Sequence, residues 1–231
     1  NKKFSRVDFV RLASHFSEFS KTLEVAKIIK KKGYMVAVNF MQISERTEKE
    51  ILEAAKMAEK AKINILYFAD SLGSMNNKYI KNIVRIFKQN WSGDIGIHTH
   101  NNLGLALTNT ITAIGEGVNW VDSTIMGMGR GAGNAQTELL LLELDKFKNN
   151  FSNNLSLLRL IKSHFEPLYQ KYKWGINSYY YLAGKFGIHP TYIQEMLNIK
   201  LNENEIIDAI NQLKNYGASR YDVNLVRSEF Q

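Results

Sequence analysis

A chain of 231 residues that is 45% hydrophobic and 23% charged can bury one sizeable core, as a single large domain or a domain with an extension, and not several modules. It carries a net charge of +8, no cysteine and only 2 prolines, which excludes disulfides, thiolate metal sites, a cysteine nucleophile and collagen-like or long disordered segments. No apolar run approaches the ~18 residues of a membrane span, and the amino-terminal NKKFSRVDFVRLASHF lacks the apolar core of a secretory signal, so a cytoplasmic protein that does not enter a membrane is expected.

Five apolar, β-branched runs follow one another at similar spacing: VDFVRLAS (7–14), YMVAVNFM (34–41), INILYFAD (63–70), DIGIHTH (94–100) and NWVDSTIM (119–126). The stretches between them have helical periodicity. Leu23, Ala26 and Ile29 share one face of the first, and Ile51, Ala54, Ala55 and Ala58 one face of the second. Thr47 and Glu50 have capping-box spacing, and Gly33 and Gly117 stand where a helix turns into a strand. Lys27, Lys30, Lys31 and Lys32 precede Gly33, where cations complement a helix end. With no RNA-binding aromatic signature or zinc-finger pattern, the basic excess points to anionic small substrates rather than nucleic acid. Strand–helix alternation of this period means βαβ units and a parallel sheet.

After about residue 150 the β-branched runs stop. Helices are expected from Leu157, Leu158, Leu160 and Ile161, over TYIQEMLNI (191–199) and over EIIDAINQLKN (205–215). The expected organisation is an α/β domain over residues 1–150 and an α-helical extension over 151–231. Five βα units are few for a closed barrel, which takes eight strands in about 250 residues.

The strongest chemical signal is His98-Thr99-His100. Strand side chains alternate, so the two imidazoles share a face at the carboxyl end of a strand, where parallel α/β sheets place their active sites. An H-x-H pair is compatible with metal binding and with a merely structural role. Other strand ends add candidates. The third run finishes at Asp70-Ser71, the first at His15, and the fifth leads into MGMGRGAGNA (126–135). There the glycines, Gly129 among them, let backbone approach a bound group, and Asn134 offers a carbonyl oxygen. Asp70 is equally compatible with a helix cap or loop carboxylate, His15 with a core or loop histidine, and the glycine run with a tight turn. Gly127, Gly129 and Ala132 also fit G-x-G-x-x-A. A dinucleotide fold would need a second strand ending in an acid about 20 residues on; helical sequence from Leu139 to Leu144 stands there instead, which removes nicotinamide binding.

HTHNNLGLALTNTITAIGEGVNWVDSTIMGMGRGAGNAQTELLL, preceded by YFADSLGSMN, resembles the last strands of the pyruvate-aldolase and hydroxymethylglutaryl-CoA lyase-like metalloenzyme superfamily. Within that group it looks most like the 4-hydroxy-2-oxovalerate aldolases, over roughly residues 7–145. SYYYLAGKFGIHPTYIQEML resembles, more weakly, the helical tail of aldolase-like proteins. The resemblance implies a (β/α)8 TIM barrel, of which five βα units matching strands 4–8 are visible here. It also implies a divalent ion, Mn²⁺ or Mg²⁺, with His98, His100 and Asn134 as ligands and Asp70 beside the site. One of Tyr179, Tyr180 and Tyr181, with Tyr180 chosen, would supply the tail tyrosine. His15, Ser71 and Gly129 are the expected substrate-binding positions. The implied reaction is cleavage or formation of a C–C bond in a small 2-oxo acid, the implied partners a second copy of the chain or an aldehyde dehydrogenase. A tail carrying Trp174, Tyr179, Tyr180, Tyr181 and Phe186 could bury such an interface or simply pack on the barrel.

The family's first-strand motif, D-x-T-L-R-D-G, supplies a third protein ligand and an arginine, and a histidine follows it; none has a counterpart here. Arg6 and Arg11 do not match that arginine. Three βα units are therefore expected upstream in the intact gene product, the alternative being a half-barrel that has lost catalysis. A Claisen-type acyl-CoA synthase and a non-catalytic scaffold subunit are the competing functions.

Overall fold

The computed structural model describes residues 2–145 and 154–225; the expected boundary at 150/151 lies outside them. Five strands form one sheet in chain order: β1 (Phe9–Ser14), β2 (Met35–Phe40), β3 (Ile65–Asp70), β4 (Asp94–Thr99) and β5 (Trp120–Val121). The β1/β2, β2/β3 and β4/β5 pairs are parallel. Helices α1 (Phe19–Lys31), α2 (Glu48–Ala61), α3 (Asn77–Asn90) and α4 (Ala106–Gly115) alternate with the strands, giving the α/β, partial-barrel architecture expected. Then come α5 (Thr137–Asp145), α6 (Asn154–Leu160), a π-helical turn at Ile161–Phe165, α7 (Glu166–Tyr172), α8 (Ser178–Phe186), α9 (Pro190–Asn198) and α10 (Glu203–Tyr216). No helix among the described residues is long and apolar enough to cross a membrane.

The chain divides into two compact units. The first comprises Asn1–Ser71, Asn76–His98 and Thr112–Asp122; the second Leu72–Met75, Thr99–Ile111 and Ser123–Gln231.

In the first unit the alternation of β2 sorts two faces. Phe40 meets Phe16 and Phe19 at ring centroid distances of 6.0 and 5.2 Å, so Val36, Val38 and Phe40, all fully buried, face the helices. Phe68 of β3 does the same against Phe87 of α3, edge to face at 5.8 Å. Ala37, Ile65 and Tyr67 line the other face with Phe9 and Trp120. There Phe9 of β1 stacks on Trp120 of β5, centroids 5.6 Å apart and planes 6° from parallel. The sheet is thus curled enough for its first and last strands to touch through side chains. Thr47 caps α2 in a reciprocal capping box with Glu50, and Gly33 takes the positive φ, 93°, that ends α1.

In the second unit α8, α9 and α10 enclose a cluster of Tyr180, Ala183, Tyr192, Ile193, Met196, Ile206, Ile210 and Leu213. The helices expected near 157, 191 and 205 are present, and α8 joins them. The fifth strand run is shorter than expected. Beyond Val121, Thr124 donates its N–H to Ala135 O at 3.0 Å and accepts from Thr137 N–H at 2.9 Å. Met126 then takes left-handed backbone, φ 53°, so the segment pairs with the glycine loop and turns.

Candidate active site

On the inner face of the first unit, one carboxylate gathers two donors. Asp122 Oδ2 accepts from Arg11 Nη1 at 2.6 Å and lies 2.8 Å from His98 Nδ1. The guanidinium carbon of Arg11 sits 4.8 Å from the centre of the Tyr67 ring, a cation–π contact. That ring lies flat along β4 because residue 96 is glycine; a Cβ there would stand 2.5 Å from it. Burial pushes the Asp122 carboxyl up, but the hydrogen bonds from His98 and Arg11 outweigh this and hold it below its ordinary value. Burial, then the Asp122 charge, pushes the Tyr67 phenol up against the opposing pull of Arg11.

Asp70 ends β3 fully buried. It is not a helix cap, since Asn76 caps α3 through the N–H groups of Lys78 and Tyr79. The Ser71 hydroxyl oxygen accepts from the N–H of Gln42 at 2.9 Å, holding Gln42 in left-handed backbone, φ 51°. His15 opens the turn after β1 and is half-buried, its carbonyl accepting from Glu18 N–H at 3.1 Å.

In the second unit His100 and Asn134 face each other in an antiparallel bridge. Asn101 N–H donates to Gly133 O at 2.9 Å and Asn134 N–H to Gly127 O at 3.0 Å, folding the glycine loop back on itself. The Asn134 side chain is 8% exposed. Its Nδ2 donates to Met128 O at 3.2 Å, whereas its Oδ1 is buried with no hydrogen-bond partner. Gly129 is what admits this amide, since a Cβ there would overlap Nδ2.

The tail reaches the same loop. Trp174 Nε1 donates to Met126 O at 2.9 Å and Gly175 N–H to Gly131 O at 3.0 Å. Asn177 caps α8 by accepting from Tyr180 N–H, which sets the helical register of the tyrosine triplet. Tyr180 is 6% exposed, Tyr181 45%. The Tyr180 ring lies where a Cβ on Gly131 would stand 2.9 Å away, and Asn102 Nδ2 donates to its carbonyl at 3.2 Å. Burial raises the Tyr180 phenol against the nearby Arg130 charge, and burial lowers Arg130 itself. A cavity of about 540 Å³ borders Gly129, Arg130, Trp174, Tyr180 and Asn198.

An imidazole and an amide oxygen, as His100 and Asn134 offer in the second unit, are donor kinds that suit a first-row divalent ion. The unpartnered Asn134 Oδ1 is an acceptor that a cation would satisfy. Among the described residues, however, no three or more histidine, cysteine, aspartate or glutamate side chains gather into a cage. In kind, the His100 and Asn134 donors of the second unit fit a divalent ion. Of the groups on the inner face, Arg11, Tyr67 and Asp122 were not singled out as site residues by the sequence. Each lies two residues from an inner-face residue of its own run, Arg11 from Phe9, Tyr67 from Ile65 and Asp122 from Trp120, the one signal that could have grouped them.

A family model described as HMGL-like matches residues 11–164. The 4-hydroxy-2-oxovalerate aldolase of Carboxydothermus hydrogenoformans is 40% identical over 138 residues, which cover 59% of this chain and 41% of that protein. The crystal structure of the N-terminal domain of a candidate aldolase from Bacteroides vulgatus superposes with a TM-score of 0.76 at 32% identity, covering 88% of this chain and 67% of that one. The HMG-CoA lyase of Bacillus subtilis shares the fold, with a TM-score of 0.61 at 18% identity over 74% of this chain and 65% of that one. The chain spans about two fifths of the length of curated relatives such as the first. With a matched model over about two thirds of its length and these likenesses, the chain belongs to the HMGL-like family.

Proposed function

We propose that this chain belongs to a divalent-metal-dependent aldolase that cleaves or forms a C–C bond in a small 2-oxo acid. The observation that carries the reading is the His100–Asn134 bridge, with its buried amide oxygen lacking any hydrogen-bond partner, in a chain 40% identical over 138 residues to a 4-hydroxy-2-oxovalerate aldolase. His98, His100 and Asn134 are the ligands in this reading. When bound, Mn²⁺ or Mg²⁺ supplies Lewis-acid polarisation of the 2-oxo acid.

The chain's own groups do the remaining work. Burial keeps the Tyr180 phenol protonated, so its Oη holds a proton ready for an oxygen of the substrate. Asp70 contributes a carboxyl group that is fully buried at a strand end. Gly129 gives Asn134 its room and offers backbone to the substrate. Ser71, anchored by Gln42, and His15 complete the substrate-binding set. A cytoplasmic setting, and docking of a second copy or of an aldehyde dehydrogenase that takes up the released aldehyde, belong to the same reading.

The test uses the intact gene product loaded with Mn²⁺. Pyruvate released from 4-hydroxy-2-oxo acids is the expected result. Free thiol released from acetyl-CoA in the presence of a 2-oxo acid would replace the aldolase reading by a Claisen synthase, and neither product by a scaffold.

A further inference from the structure

We propose that Asp122 is the positioning residue for His98, holding its imidazole in the tautomer that carries the proton on Nδ1 and the lone pair on Nε2, with Arg11 in turn fixing Asp122. The significance for metal binding rests on the reading of His98 as a ligand; the geometry does not.

A carboxylate oxygen only accepts hydrogen bonds. With Asp122 Oδ2 at 2.8 Å from His98 Nδ1, the ring nitrogen facing it must carry the hydrogen. The other neutral tautomer would set a lone pair against a carboxylate. A neutral ring with hydrogen on Nδ1 presents Nε2 as its basic nitrogen, and a carboxylate behind a ligating histidine is a recurrent way of fixing tautomer, ring orientation and basicity.

Asp122 also has support independent of His98. The same Oδ2 accepts from Arg11 Nη1 at 2.6 Å, a charge-assisted contact between residues 111 apart in sequence. Arg11 is itself held over the Tyr67 ring, whose position requires Gly96. The histidine thus rests on a carboxylate, the carboxylate on a guanidinium and the guanidinium on an aromatic ring. The side chains of Arg11, His98 and Asp122 are 34%, 24% and 22% exposed, so the chain of contacts borders solvent rather than being sealed in a core.

The test is long-range ¹H–¹⁵N NMR of the histidine rings in the metal-free protein at about pH 8, above the ordinary imidazole pKa. A protonated Nδ1 and an unprotonated Nε2 on His98 are expected; the opposite tautomer or an even mixture overturns the proposal before any variant is made. In Asp122→Asn, which keeps the shape but adds a donor, the Nδ1-protonated population should fall and the Mn²⁺ dissociation constant should rise about 10- to 100-fold. Asp122→Glu should retain the wild-type tautomer. An unchanged tautomer together with unchanged Mn²⁺ affinity in Asp122→Asn refutes the role of Asp122. If the wild-type protein takes no Mn²⁺ at all, the ligand reading falls, and the tautomer still decides the role of Asp122.

Discussion

Gly133→Ala probes how tightly the loop that presents Asn134 is built. Residue 133 has φ +78°, and a Cβ placed there would lie well under 3.0 Å from the Gly127 carbonyl oxygen. That oxygen is backbone and already accepts from Asn134 N–H, so it cannot swing aside as a side-chain tip could. The left-handed conformation costs a non-glycine residue about 1–3 kcal/mol, and forcing atoms into filled space adds about 1–3 kcal/mol, so a loss of about 2–6 kcal/mol is expected. Gly187→Ala is the matched control: φ is +66°, with nothing within 4 Å of its added Cβ, so only the conformational cost of about 1–3 kcal/mol applies. Urea unfolding followed by tryptophan fluorescence measures both. Equal losses in the two variants would refute the claim that the loop's close backbone approach, rather than its φ alone, demands glycine.

Thr47→Ala removes the reciprocal cap of α2 and should lower stability by about 1 kcal/mol, read in thermal unfolding; an unchanged Tm would mean the box contributes nothing. Phe68→Ala empties a fully buried site against Phe87 and should cost about 3–5 kcal/mol in the same assay. For Asp122, the folded pKa lies below the unfolded one, so its contribution to stability is complete above about pH 4 and is lost as pH falls through the folded value. Asp122→Asn should therefore be less stable at neutral pH and lose less on acidification below about pH 4; identical acid limbs would contradict the assignment.

The βα alternation, the Thr47–Glu50 cap and the turn at Gly33 were legible in the sequence because each is a local matter of period and backbone conformation. The fifth strand was not, since 119–126 reads as extended until Thr124 pairs with Ala135 and Thr137 instead of continuing the sheet. The inner-face cluster was hidden for another reason. Alternation says that Arg11 and Asp122 each occupy one face of a strand, but only the curl of the sheet brings β1 to β5. The tyrosine register was likewise undecided until Asn177 fixed the start of α8. No pattern in 178–181 distinguishes the ring that lies against Gly131 from its neighbours.

The central claim, a divalent ion held by the H-x-H pair, is tested most directly by electron spin-echo modulation of the Mn²⁺-loaded protein. Nitrogen couplings from two imidazoles are expected, one lost in His98→Ala and the other in His100→Ala. Bound Mn²⁺ whose nitrogen couplings survive both substitutions, or that shows none in the wild type, would contradict it.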